Sequence, residues 1–175
     1  FHQDDQGRFG LTPLAECLLD RPDSQKAVAL MSGEEHYAAW GQLLYSLQTG
    51  RTAFEKIYGQ PVFDYLSEHP EQAKNFDVAM QGIHGPETQA MVDAYDFSDI
   101  GVLMDVGGGN GSTLLTILRR YPLMRGLLFD LPGVIARART NIQQANLAAR
   151  CSALEGNFFQ AVPPGADAYL MRHII

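Results

Sequence analysis

The sequence predicts an α/β protein: a parallel sheet with helices on both faces in its second half, preceded by a mainly helical region. Three observations carry that prediction. Residues 99–175 alternate short apolar runs with helix-period stretches. A cluster of glycines sits where the first apolar run turns into the first of those helices. Residues 1–98 instead show apolar residues at steps of three and four. The charge balance changes at the same place, from 6 basic and 15 acidic residues over 1–98 (net -9) to 7 and 5 over 99–175 (net +2). A domain boundary is therefore placed between 98 and 99.

In the first half, Ser32-Gly-Glu-Glu35 has the form of a capping box. The stretch after it, through Tyr37, Trp40, Leu44 and Leu47, keeps helical spacing until Gly50. A second helix is predicted from Pro70 to Ile83, with Ala73, Phe76, Met80 and Ile83 on one face and Pro70 in the first turn. Gly85-Pro86 then breaks the chain, and a third helix is predicted from Glu87 to Tyr95.

In the second half, Val102–Val106 reads as a buried strand, Gly107 to Gly111 as a turn, and Ser112 to Tyr121 as a helix ended by Pro122. Strand 126–129, helix 133–148, strand 152–154 and a final strand 168–175 follow. Strands separated by helices require right-handed crossovers and hence a parallel sheet.

Composition excludes several functions. The 175 residues are 46% hydrophobic and 19% charged, with no apolar run long enough to span a bilayer, so membrane insertion is not expected. A formal net charge of -7 disfavours a phosphate backbone as partner, so no nucleic acid is expected. Cys17 and Cys151 lie far apart and match no metal-ligand spacing, which predicts buried, reduced thiols in a cytoplasmic protein. No cluster of His, Asp and Glu at ligand spacing is evident, so no metal is expected. The chain opens at Phe1 and stops at Ile175 within an apolar run, which reads as a piece of a longer protein shortened at both ends.

The strongest chemical signal is Asp105-Val-Gly107-Gly108-Gly109-Asn110-Gly111. Glycines there let a strand turn sharply into a helix while the backbone approaches a ligand. Asp130, ending the next strand, stands at the spacing of a residue that accepts from two ribose hydroxyls. Together they predict an adenosine-type ligand at the carboxyl ends of the strands. A dinucleotide fingerprint would want glycine where Ser112 stands, whereas Asp-x-Gly-x-Gly-x-Gly is filled at every position.

That second pattern resembles the class I S-adenosylmethionine-dependent methyltransferases. The ordered stretches 102–111, 126–134, 156–159 and 169–175 resemble the cofactor motifs of the plant caffeic-acid-type O-methyltransferases and their bacterial secondary-metabolite relatives. Upstream, Gly7-Arg-Phe-Gly-Leu-Thr-Pro-Leu14 resembles the wing of that family's winged-helix dimerisation domain, and Trp40 through Gly59 resembles the approach to its substrate pocket. The resemblance implies a Rossmann-like domain holding its first four strands in this chain, S-adenosylmethionine as cofactor, S-adenosylhomocysteine as product, and a homodimer. Residues 1–98 would be the dimerisation and pocket region, and 99–175 the cofactor domain.

Residue by residue, the resemblance implies that Gly107 lies against the cofactor, Gly109 and Gly111 shape the turn, and Asp130 holds the ribose. Asn157 stands where the family usually has an aspartate accepting from the adenine amino group. Its neutral oxygen is the poorer acceptor, with an expected cost of about 1 kcal/mol. Phe158 would pack on the adenine ring, and Arg172 matches a lysine that reaches the methionine portion. Phe76 and Met80 match positions that sandwich an aromatic acceptor, although at helical spacing they read equally as core. The family's general base is a histidine expected directly after Ile175, so no catalytic residue is assigned within the chain, and His173 is read as structural. The implied reaction is methyl transfer to a hydroxyl of a small aromatic or polyketide-like acceptor. Two other readings stay open: a nicotinamide-dependent oxidoreductase using the same glycine turn, and a non-catalytic dimeric regulatory or structural relative.

Overall fold

The structure is a computed structural model and describes residues 1–21 and 24–174; Ile175, the end of the expected last strand, lies outside the described residues. It divides into two compact units, Phe1–Ile83 and His84–Ile175. The divide falls fifteen residues before the charge shift, because Met91, Val92 and Phe97 pack into the core of the second unit.

The first unit opens with a two-stranded antiparallel ribbon, β1 (His2–Gln3) and β2 (Phe9–Gly10), closed by a turn in which Gly7 takes φ +79°. Short helices follow: α1 (Pro13–Glu16), α2 (Lys26–Gly33), α3 (Glu35–Trp40), α4 (Leu43–Thr49), α5 (Ala53–Tyr58) and α6 (Val62–Glu68). Thr12 and Thr52 cap α1 and α5, accepting from the N–H groups of Ala15 and Glu55. The capping box expected at Ser32 does not form. Ser32 lies inside α2, which turns Ala27 and Met31 into the unit's small core, and the backbone breaks at Glu34 instead. Gly50 stops α4 in a left-handed conformation, φ +69°, as its position predicts.

Helix α7 runs from Pro70 to Ala94 without interruption, so the two helices expected on either side of Gly85-Pro86 are one. A proline bars the preceding residue from helical geometry largely through that residue's Cβ, and Gly85 has none. Buried Ala73 and Ala79 anchor the helix in the first unit, while Val92 anchors its end in the second.

The second unit holds β3 (Val102–Val106), α8 (Ser112–Arg120), β4 (Arg125–Asp130), α9 (Pro132–Gln144), β5 (Cys151–Glu155) and β6 (Ala168–Leu170). The four strands form one parallel sheet in the order β5-β4-β3-β6. The expected α/β architecture is thus present, with element boundaries within a few residues of those expected except at β6. That strand ends at Leu170, and His173 takes φ +57° in the turn that follows, not a strand conformation. The core joins α8, through Leu114, Ile117 and Leu118, to Leu103 and Leu128 of the sheet and Ile135 and Ala138 of α9, all nearly or wholly inaccessible. Burying each of these leucine and isoleucine side chains contributes about 1.5–3 kcal/mol. Arg150 donates to the carbonyl of Leu118, which the end of α8 would leave open, and to those of Tyr121 and Met124 in the turn that follows. Cys151 is buried, and its thiol is pushed up to about 11 by that burial, then by Asp105 nearby; Cys17, expected to be buried, is exposed. No helix among the described residues is long and apolar enough to cross a membrane.

Candidate functional site

β3 delivers the chain to its turn at the carboxyl edge of the sheet. Gly107, Gly109 and Gly111 take φ of +67°, +59° and +83°, values that cost other residues about 1–2 kcal/mol each. Gly108 is required for space: a Cβ there would lie 2.3 Å from Leu128 Cδ1 and 2.7 Å from Asp105 Cγ. A Cβ on Gly107 would come within 2.6 Å of Ile174 Cδ1 and 3.4 Å of Phe158 Cε1, so the turn is lined by those two side chains. Gly111 then starts α8, with the Asn110 side chain accepting from the Ser112 N–H.

Asp130, at the end of β4, is buried beside this turn. Its Oδ2 accepts from the Gly109 N–H at 2.9 Å and its Oδ1 from the Leu131 N–H at 2.7 Å, so the carboxylate is locked in orientation by two backbone donors. The sequence pattern pairs Asp130 with the glycines, and the structure joins them by a direct bond. Asp105 enters the sequence pattern only as the first position of the motif. It is fully enclosed, its Oδ2 has no hydrogen-bond partner, and its carboxyl is pushed up to about 7, by burial first and then by the charge of Asp130, against a smaller opposing effect from Arg172.

On the third motif, the Asn157 side-chain oxygen accepts from the Phe159 N–H at 2.9 Å, forming a local turn. Phe158 packs against Met104, Val106 and Phe129 and pairs with the Phe159 ring at 4.5 Å. Arg172 is engaged elsewhere: it donates to the hydroxyls of Thr88 and Thr113, to the His84 carbonyl at 2.7 Å and to Glu87 Oε2 at 2.8 Å. Phe76 and Met80 lie in the first unit, half-buried against Ala27, Met31 and Ala79, and Phe76 meets Phe63 edge to face at 6.1 Å.

The structure also assembles a group of side chains that sequence spacing did not reveal. His84 Nδ1 and His173 Nε2 lie 3.2 and 3.1 Å from Glu87 Oε2, and the two imidazoles stack with centroids 3.9 Å apart. Glu87 is held down to about 2 by hydrogen bonds from Arg172 first, then His173 and His84. The three donor atoms lie within 4.8 Å of one another, a grouping that the ligand spacings read from the sequence do not contain. His84-x-x-Glu87 was the available signal, two residues one helical turn apart.

A parallel α/β sheet with a left-handed glycine turn, and a buried carboxylate bonded to that turn, is the architecture of the α/β proteins that take ligands at the carboxyl ends of their strands. The O-methyltransferase domain family matches residues 40–175, and the chain belongs to that family. A phenazine O-methyltransferase of Lysobacter antibioticus, PhzM, is 43% identical over 172 residues, 98% of this chain and 50% of the relative. The aclacinomycin 10-hydroxylase RdmB of Streptomyces purpurascens is 37% identical over 167 residues, 94% of this chain and 45% of that protein. Among solved structures, the O-methyltransferase NcsB1 from neocarzinostatin biosynthesis, in complex with S-adenosylmethionine and 2-hydroxy-5-methyl naphthoic acid, matches with a TM-score of 0.86 at 28% identity. That match covers 97% of this chain and 53% of NcsB1. The chain spans about half the length of the curated relatives it matches.

Proposed function

We propose that the chain is the cofactor-binding part of an S-adenosylmethionine-dependent methyltransferase that methylates a hydroxyl on a small aromatic or polyketide-like acceptor. The observation that carries this reading is the bond from the Gly109 N–H to Asp130 Oδ2, which fixes a carboxylate beside a turn that excludes side chains. The residues present fit the cofactor. The backbone of Gly107, Gly109 and Gly111 approaches it, Asp130 accepts from the ribose hydroxyls, and Phe158, beside Gly107, offers its ring face to the adenine. Asn157 contributes a neutral acceptor at the adenine edge, and Arg172, whose two terminal nitrogens are taken by Thr88, Thr113, His84 and Glu87, offers its Nε–H to the methionine end. Phe76 and Met80 contact the acceptor ring. The cofactor, when bound, supplies an electrophilic methyl group on a sulfonium.

What this chain contributes is position. It orients the ligand through rigid backbone and a pre-aimed carboxylate. Proton removal from the acceptor falls to the histidine that the family pattern places directly after Ile175. The first unit, with its ribbon and short helices, serves a winged-helix-like dimerisation role, and the working state is a cytoplasmic homodimer.

Calorimetric titration with S-adenosylhomocysteine tests the reading, with NAD and Asp130→Ala as controls. Saturable binding of the homocysteine compound, lost in the variant and absent for NAD, is the expected result. Binding of NAD instead, or no binding of the homocysteine compound by the folded chain, refutes it. Methyl transfer and hydroxylation are separated by product mass once a phenolic acceptor is supplied to the full-length protein: a gain of a methyl group supports this proposal, and a gain of oxygen alone assigns the protein to the chemistry named for RdmB.

A further inference from the structure

We propose that His84, Glu87 and His173 form a site for a divalent cation of borderline softness, zinc being the best fit. Two ligands come from one face of α7, where His84 and Glu87 stand three residues apart. The third comes from the turn after β6, where the left-handed conformation of His173 (φ +57°) accompanies the approach of its ring to that face. The donor atoms lie within 4.8 Å of one another, and the two nitrogen-to-carboxylate separations are 3.2 and 3.1 Å. Zinc bonds of about 2.0–2.2 Å to nitrogen and oxygen place neighbouring tetrahedral ligands about 3.3–3.5 Å apart, so these two edges are nearly the right length already.

The donor set points to the metal. Two imidazoles and one carboxylate suit zinc, copper or nickel, whereas magnesium and calcium want oxygen ligands throughout. Glu87 and His173 are both about half exposed, leaving a path for the ion and a solvent-facing fourth position. The imidazoles are stacked at an interplanar angle of 27°, so ligation needs the His173 ring to tilt toward the carboxylate, and its exposure gives it room.

Arg172 opposes the ion through charge and supports it through geometry. Its guanidinium lies 2.8 Å from Glu87 Oε2, which lowers affinity for any cation there. The same guanidinium is anchored by Thr88, Thr113 and the His84 carbonyl, so it holds the carboxylate in place as an outer hydrogen-bond donor. The resulting site binds moderately and ties the turn after β6 to α7.

The test is zinc titration of the 175-residue chain in a non-chelating buffer near neutral pH, read by competition with a chromophoric chelator. Cobalt substitution supplies a ligand-field absorption band as a second readout. One ion per chain is expected, with affinity at least about ten-fold weaker in His84→Ala and His173→Ala. His36→Ala is expected to bind as the parent does, and magnesium not to compete. His173→Ala changes a half-exposed turn residue, so it keeps the test informative if His84→Ala fails to fold. Absence of saturable zinc binding, or parental affinity in a folded His173→Ala chain, would overturn the proposal.

Discussion

Replacing Asp105 by Asn isolates a strongly perturbed buried carboxyl of the second unit. Asp105 is enclosed, one of its oxygens lacks a partner, and its carboxyl is pushed from 3.8 up to about 7, mainly by burial and next by Asp130. The folded state therefore keeps a proton that the unfolded chain gives up. Below pH about 4 both states carry it, and this group's contribution to stability is fully present. Between pH about 4 and 7 only the folded state carries it, so stability falls as pH rises, by about 1.4 kcal/mol per pH unit. Across that window the loss amounts to about 4 kcal/mol, an upper figure for a buried group whose surroundings can relax. Asp105→Asn cannot titrate and lacks this dependence. Urea unfolding of both proteins by circular dichroism at pH 4, 5, 6, 7 and 8 measures it as a difference, which cancels the other titrating groups. The stability of the parent minus that of Asp105→Asn is expected to drop by several kcal/mol from pH 4 to 8. Parallel curves would refute the assignment of a raised carboxyl to Asp105.

Other consequences of the packing are open to direct measurement. Thiol labelling of the native chain is expected to modify Cys17 quickly, because it is exposed, and Cys151 only after unfolding, because it is buried with a thiol pushed up to about 11; equal rates would contradict this. Gly108→Ala forces a methyl group to within 2.3 Å of buried Leu128 and should cost about 1–3 kcal/mol in urea unfolding. Arg150→Met keeps much of the aliphatic stem but abandons the carbonyls of Leu118, Tyr121 and Met124, with an expected loss of about 2–3 kcal/mol by the same assay.

The second unit was legible in the sequence because its signals are local. Buried strands such as Val102–Val106 are apolar runs, interrupted there by Asp105 alone, and the glycines that follow have few other conformational uses. Asp130 was legible for the same reason, standing at a fixed offset from a turn it then bonds. The first half misled where tertiary packing outweighed local preference. Ser32 has the neighbours of a helix cap, yet burial of Met31 keeps it inside α2, and Pro86 reads as a break until Gly85 relieves the clash. The last strand was read too long because apolar character continues past Leu170. The pairing ends at Asp105 with Leu170, and Arg172 and His173 are drawn to Glu87. That cluster joins residues 86 positions apart, and no spacing rule within one element reaches so far.

Two carboxylates at neighbouring strand ends have been given opposite tasks by their backbone surroundings, and paired substitutions separate them. Asp105 and Asp130 lie on adjacent strands whose register sets Asp105 beside Leu128 and Val106 beside Phe129, which puts Asp130 next to the start of the turn. Like charges so close in a dry site disfavour ionising both, and the two carboxylates differ in the donors they have been given. Asp130 has the N–H groups of Gly109 and Leu131, while Asp105 has an oxygen with none. Asp130→Asn keeps one acceptor oxygen of two and puts an amide where a carboxylate met a backbone N–H. Loss of S-adenosylhomocysteine affinity by at least about ten-fold is therefore expected, consistent with about 1.5–3 kcal/mol for a hydrogen bond to a charged group. The same variant removes the neighbouring charge that helps hold Asp105 up, so the window of stability loss should end at a lower pH and the total loss should shrink. Calorimetry and the pH series in urea read the two effects independently. An Asp130→Asn chain whose stability responds to pH as the parent's does would show that burial alone, without its neighbour, governs Asp105.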